Sequence, residues 1–250
     1  TQTVRENETL YILELPDVPV EPEPYRLELR DGRTYIAGWK SGTYKGLTTD
    51  RQLITVSTSS AQTAIVGTWQ VEFAKDWGAP PRIELPSLMS WAEHSDPGVK
   101  YFSGSAVYSK SFDVPRSLLS GDRLVVLDLG RVKNFATVTL NGKDLGVLWK
   151  EPFTVDVTGA IKTGRNELRI KVTNLWVNRI IGDEQMPADV EWNGVQLKQW
   201  PSWLLNGERR PSGRYTFTTW RFWSADSPLL ESGLLGPVVI RSAKWVEIGR

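Results

Sequence analysis

Three stretches of this sequence predict an all-β chain folded as a two-layer sandwich. The first is Asn141-Gly142, which closes an alternating segment with Val138 and Leu140 on one face. Both central positions of a type I′ hairpin turn need positive φ, so this pair marks a tight reversal. The second is period-two alternation. Phe153, Val155 and Val157 interleave with Thr154, Asp156 and Thr158, and Leu168, Ile170 and Val172 interleave with Arg169, Lys171 and Thr173. Half-buried antiparallel strands have this period, and these segments are expected to share one sheet with the strand before Asn141. The third is the run at 124–129 (LVVLDL), apolar except for Asp128, as a central strand buried on both faces would be. A double-sided strand with alternating neighbours favours a sandwich over a barrel.

Taken in order, residues 9–15 (TLYILEL) form a short apolar run that stops at PDVPVEPEP, where four prolines remove backbone donors and favour an extended connector. YRLELR meets RTYIAGW across Asp31-Gly32, a second hairpin signal, and RQLITVS at 51–57 adds another strand. Too few strands lie here to bury two faces, so residues 1–60 read as a β-rich appendage or the tail of a preceding β domain, and 61–250 as the sandwich. Trp69, Val71 and Phe73 alternate until Gly78-Ala79-Pro80-Pro81 ends their strand, and residues 85–93 suit one or two helical turns. Residues 103–114 read as a strand with Ala106, Tyr108 and Phe112 on one face, stopped by Pro115. Periodicity then lapses between Trp176 and Trp223, a span holding six of the twelve Trp, before residues 215–223 resume a strand and 236–240 close the sandwich. A long aperiodic insertion in a β domain suits a binding role or a cover over a neighbour.

Composition narrows the chemistry. Lys+Arg of 30 against Asp+Glu of 29 leaves a net charge of +1, so no field attracts nucleic acid or an anionic membrane. One His and no Cys leave little room for a zinc site, a thiol nucleophile or a disulfide framework. No apolar run is long enough to span a membrane, the first residues do not have the pattern of an export signal, and Thr1 is not an initiator, so the chain reads as a piece of a longer one. Neutral partners fit this balance, and a sugar is one.

Sugar rings pack C–H groups on aromatic faces while their hydroxyls reach planar polar side chains. Trp176, Asn178, Arg179, Asp183, Glu184 and Trp192 supply both groups in one stretch, and Trp149, just after the Asn141 hairpin, suits a rim position. Each has a plainer reading: large aromatics are mostly packing mass, and Asn178 with Arg179 suits a tie between the long loop and the sheet. Trp200 and Trp203 in QWPSW suit a cover over the sandwich end, a contact with another domain, or a ligand platform.

The order from Val132 to Asn174, strand–NGK–LG–strand–DVT–turn–strand–N, resembles the sugar-binding jelly-roll domain of glycoside hydrolase family 2. GTWQVEF with DWGAP, SWAEHSDPGVKYFSGSAVYSKSFDVP, LDLGRVKNFATVTLNGKDLGVLWKEPF, NLWVNRIIGDEQMP, GRYTFTTW and SGLLGPV resemble the C-terminal region of glycoside hydrolase family 106 and the α-L-rhamnosidase-like proteins near it. The resemblance covers roughly residues 67–240 and implies a galactose-binding-like jelly-roll sandwich. It also implies a non-catalytic module of a secreted or periplasmic glycosidase, binding plant or microbial polysaccharide beside the adjacent domains of its parent enzyme. The family's catalytic residues belong to an (α/β)8 barrel absent here, so no catalytic residue is assigned. Jelly rolls of this type often hold a structural calcium, yet Asp96, Asp128, Asp183 and Asp189 are too scattered to form a recognisable loop, and no cofactor or metal is expected. Two alternatives stay open: a purely structural buttress for the barrel, and a fragment that still hydrolyses glycosides through a carboxylate pair such as Asp183 with Glu184, Glu191, or Glu93 near His94.

Overall fold

A computed structural model describes residues 24–47, 51 and 53–248. Among these the strands are β1 (Tyr25–Arg30), β2 (Arg33–Gly38), β3 (Gly42–Leu47), β4 (Leu53–Thr58), β5 (Ser60–Ala64), β6 (Trp69–Phe73), β7 (Arg82–Leu85), β8 (Ser105–Val114), β9 (Arg123–Asp128), β10 (Arg131–Lys133), β11 (Phe135–Leu140), β12 (Lys143–Leu148), β13 (Thr154–Asp156), β14 (Gly164–Thr173), β15 (Trp192–Asn193), β16 (Gln196–Leu197), β17 (Gly233–Gly236) and β18 (Val239–Glu247). Four short helices join them: α1 (Pro97–Lys100), α2 (Arg116–Leu119), α3 (Val177–Asp183) and α4 (Ser202–Leu205). One sheet runs β12-β11-β14-β8-β6-β7 and the other β1-β2-β18-β9-β13, with β5 also on β18. The chain is all-β, and the two sheets face each other as a sandwich.

Alternation decides what lies between them. Along β14, Leu168, Ile170 and Val172 are buried while Arg169 and Lys171 stand in solvent, and β11 repeats the pattern with Ala136, Val138 and Leu140. These side chains share one core with Val125 and Leu127 of β9 and Ile240 of β18. Burying each large apolar side chain contributes roughly 1.5–3 kcal/mol, which makes this layer the principal source of cohesion. β9 is buried on both faces as its composition requires, for Leu124 and Val126 turn away from that core into a second cluster with Ala37, Ala243 and Trp245. Both hairpin signals hold: Asp31 and Gly32 have φ of 49° and 74°, and Asn141 and Gly142 have 51° and 81°.

β18 joins the described part of the first sixty residues to the rest. Its first five residues pair with β5 on one side and β9 on the other, and Trp245–Glu247 pair with β2. The apolar run at 9–15, and the proline segment as far as residue 23, lie outside the described residues. Residues 85–93 contribute a single 3-10 turn, Trp91–Glu93.

Two expectations need correction. The segment Phe153–Val157 does not share a sheet with β11 and β14: β13 pairs with β9 in the opposite layer. β12 is an edge strand, and after it the chain crosses at Trp149–Pro152 to the other layer, where Phe153 and Val157 face the same core from the far side. Alternation reports one buried face and not which layer owns it. Residues 215–223 do not form a strand either. The amides of Tyr215 and Thr216 donate to Asp183 Oδ2 at 2.9 and 2.6 Å, so a carboxylate takes the donors that a sheet partner would need. All that remains of the expected pairing is one bridge between Gln196 and Trp220.

Candidate functional site

The long segment after β14 is organised by α3. Asn174 begins it at the end of β14, accepting from the Gly104 amide at 2.8 Å and donating to the Phe102 carbonyl at 2.8 Å. Asn178 does the same on the other side: its Nδ2 donates to the Leu230 carbonyl (2.7 Å) and its Oδ1 accepts from the Leu230 amide (2.9 Å). Arg179 donates its backbone N–H to Ser103 Oγ at 3.1 Å, which pins the helix to the sandwich. Gly182 completes the fit, since a Cβ there would stand 2.4 Å from the Arg179 guanidinium and 2.5 Å from Tyr101 Cβ.

The charged residues named from the sequence come together here, facing inward. Arg179 and Asp183 are one helical turn apart, nearly fully buried, with Nε 3.1 Å from Oδ1. Asp183 Oδ2 also accepts from the Thr216 hydroxyl at 2.7 Å, so one carboxyl oxygen holds three donors of the returning strap. Glu184 takes Arg214 at 2.8 Å on one oxygen and Arg221 at 2.7 Å on the other. Further along, Asp189 accepts from Arg210 at 2.5 and 3.0 Å and from Ser212 at 2.6 Å. Burial pushes the Asp189 carboxyl up, but the hydrogen bonds from Arg210 and Ser212 outweigh it and hold its pKa below the usual aspartate value. Arg179, Asp183 and Glu184 are thus engaged with the strap and with one another, and for Asn178 and Arg179 the contacts include the tie between loop and sheet that was the plainer expectation. Asp96 caps α1, and Asp128 pairs with Arg241 at 2.6 Å, so the four aspartates weighed for calcium sit in separate contacts.

The tryptophans divide. Trp192 is half-buried at the start of β15, beside a space of about 10 Å³ shared with Asp183, Glu184 and Arg210. That holds about one water and no sugar ring. Trp176 is 55% exposed, its indole meeting Trp77 edge-to-face at 5.6 Å, and Trp77 stacks on Tyr215 at 6.2 Å. Arg179 lies over the Tyr215 ring at 5.0 Å, so the group is a supported aromatic platform beside the start of α3. Trp149 is 65% exposed after β12, with Lys150 Nζ 5.6 Å from its ring, and none of the contacts among the described residues joins it to α3.

On the other side of α3 lies a cleft of about 340 Å³ at the sandwich end, where β10 and β14 stop and β17 begins. Leu175, Val177 and Asn178 form one wall, Leu229 and Leu230 another, and Lys133, Asn134 and Ser232 bring polar groups to it. The Ser232 hydroxyl is buried and, among the described residues, has no hydrogen-bond partner. Asn178 was foreseen for this region. Lys133, Asn134 and Ser232 were missed, because they sit at the ends of strands far apart in sequence, and Trp77 and Tyr215 were missed because one lies beside the Gly78–Pro81 turn and the other was expected to belong to a strand.

Residues 94–211 match the family described as glycosyl hydrolase 2 galactose-binding domain-like. A putative beta-glucuronidase from Formosa agariphila is 44% identical over 242 residues, covering 94% of this chain and 21% of that protein. The structure of a rhamnosidase from Novosphingobium sp. PP1Y is 38% identical with a TM-score of 0.58, covering 78% of this chain and 16% of that one. A beta-glucuronidase from an uncultured Clostridium sp. is 20% identical with a TM-score of 0.46, over 74% of this chain and 29% of that one. The chain thus spans about a fifth of the curated relative and less of the rhamnosidase. An all-β sandwich thus frames a central segment, residues 94–211, that is similar to the galactose-binding-like domain of the glycosyl hydrolase 2 type.

Proposed function

We propose that this domain is a non-catalytic accessory module of a larger, exported glycosidase of the α-L-rhamnosidase-like kind, and that it holds a neutral saccharide at the α3 cleft. The observation that carries the reading is the cleft itself. Its volume of about 340 Å³ falls in the lower part of the roughly 300–1,000 Å³ typical of small-ligand sites, and Lys133, Asn134 and Ser232 line it beside apolar walls. Trp176, which lies in sequence between the cleft-lining Leu175 and Val177, is exposed and offers an aromatic face suited to ring C–H groups. Affinity for a short oligosaccharide is expected between about millimolar and micromolar, roughly −4 to −8 kcal/mol.

Titration of the chain with rhamnose- and galactose-containing oligosaccharides, followed by amide chemical shifts, tests this. Perturbations centred on residues 133–134, 174–178 and 229–232, abolished by Asn134→Ala with Lys133→Ala and weakened by Trp176→Ala, are expected. Perturbations confined to Trp149, or none with any glycan, would overturn the site.

A second reading rests on a separate observation. Trp200, Leu205, Trp220 and Phe222 on the long segment are 55%, 70%, 40% and 71% exposed, more apolar surface than a solvent-facing loop commonly shows. That suits a buttress packed against another domain of the parent enzyme, with no sugar bound, and the same titration separates the two. Hydrolysis has weaker support, since Asp183 and Glu184 are held by arginines and backbone donors, and absence of nitrophenol release from a nitrophenyl rhamnoside is the expected result.

A further inference from the structure

The aromatic platform of Trp77, Trp176 and Tyr215 is fixed from two directions and still exposed. Trp77 belongs to the turn 76–80, where Asp76 and Gly78 have φ of 63° and 91°. That turn is seated on α1: a Cβ on Gly98 would run into the Gly78 carbonyl oxygen, and the Gly98 amide is itself held by Asp96 Oδ1 at 2.7 Å. Tyr215 is fixed from the α3 side, its amide donating to Asp183 and its ring 5.0 Å from the Arg179 guanidinium. Between them Trp77 stacks on Tyr215 and meets Trp176 edge-to-face. Trp176 nevertheless stays 55% and Tyr215 40% exposed. Rings ordered in advance lose little freedom when a ligand arrives, which suits a binding surface.

We propose that the ligand of the α3 cleft is an oligosaccharide chain whose further units lie on this platform, a proposal that rests on the cleft being a sugar site. Three observations favour it. The first is adjacency: Leu175 and Val177 line the cleft, while Trp176 between them turns its indole to Trp77. Neighbouring Cα atoms are about 3.8 Å apart, so cleft wall and platform share one stretch of backbone. The two lie on different sides of α3, so a single ring cannot fill both, and a chain of rings can. The second is chemistry: the indole and phenol faces suit ring C–H groups, and Tyr215 adds a hydroxyl that can donate to or accept from a sugar hydroxyl. The Arg179 guanidinium beside Tyr215 disfavours a cationic ligand at the same ring. The third is size: two partly exposed rings, of residues that bury about 150–250 Å² each, offer well under the roughly 800 Å² per partner of a stable protein interface.

Length dependence is the test. The full chain is titrated with rhamno-oligosaccharides and galacto-oligosaccharides of two to six units, read by NMR shifts and by calorimetry. Disaccharides are expected to shift residues 133–134, 174–178 and 229–232 alone, and longer chains to add the Trp77 indole N–H and the amides of residues 77–79 and 214–216. Affinity is expected to rise about three- to tenfold from the disaccharide to the hexasaccharide, the gain of stacking one or two further rings. Tyr215→Leu and Trp77→Leu, which keep apolar bulk without a flat face, should each bring that ratio down toward one. Cleft shifts with no change at residues 77–79 or 214–216 at any length would overturn the platform and leave the cleft reading standing. A ratio unchanged in both variants would overturn it too, platform shifts without cleft shifts would break the shared path, and no shift with any chain would overturn cleft and platform together.

Discussion

The sandwich and the segment that crosses its end, residues 175–232, are held by different forces. Between the sheets cohesion comes from side chains such as Trp91, Tyr108, Leu127 and Ile170, none more than 2% exposed, packed without charge among them. Trp91 stacks on Tyr108 at 6.2 Å, and Gly233 comes so near both rings that a Cβ there would stand 2.7 Å from the tyrosine oxygen. Across the end, cohesion comes from carboxylates: Asp183, Glu184 and Asp189 gather Arg179, Arg210, Arg214 and Arg221 and the amides of residues 215–216. The apolar groups of that segment point largely outward instead. A layer that buries its own hydrophobic groups is complete alone, whereas one that fixes its backbone with ion pairs keeps its aromatics available for something else.

The sharpest break in this contrast comes from the core. Trp91→Ala is expected to cost about 3–5 kcal/mol of global stability, read as a shifted urea midpoint with sheet and loop unfolding together. Asp183→Ala should cost about 3 kcal/mol or more locally, because it leaves Arg179 buried without its partner and three donors unmet. Hydrogen exchange would then show residues 215–216 opening while β14 stays protected; loss of protection in β14 as well would mean that the two regions are one cooperative unit.

Acid sharpens the comparison at smaller scale. The folded-state pKa of Asp189 lies below its unfolded value of about 3.9, so the stability it contributes is fully present above that value and is lost as pH falls through the lower, folded one. Limited proteolysis near residue 210 should therefore stay slow at pH 5 and rise only below the ordinary aspartate range; a rise beginning above pH 5 would contradict the pairing with Arg210. The smallest effect is expected at Trp149→Ala, within about 0.5 kcal/mol of wild type by thermal unfolding, since its indole is mostly in solvent.

Much of the sandwich was legible because period-two patterning and φ-positive turn pairs are local signals. Asn141-Gly142 and Asp31-Gly32 were placed from two residues each, and the double burial of β9 followed from a run apolar but for Asp128. The α3 region was legible only in part. Composition singled out Asn178, Arg179, Asp183 and Glu184, and they do meet around one helix, but nothing in their order shows that Asn178 would bind Leu230, fifty-two residues on, or that Asp183 would take the amides where a strand was expected. Hydrogen-bond partners so distant in sequence are chosen by the returning path of the chain.

What the sequence determined by itself is the class of fold, the position of its tight turns and the faces of its strands, since each depends on neighbours one or two residues away. Tertiary structure decided which layer received β13, which tryptophans kept an exposed face, and where a cleft opened between the ends of β10, β14 and β17. Those outcomes depend on which distant surfaces compete for the same apolar area and the same donors, and a local pattern carries no record of its competitors.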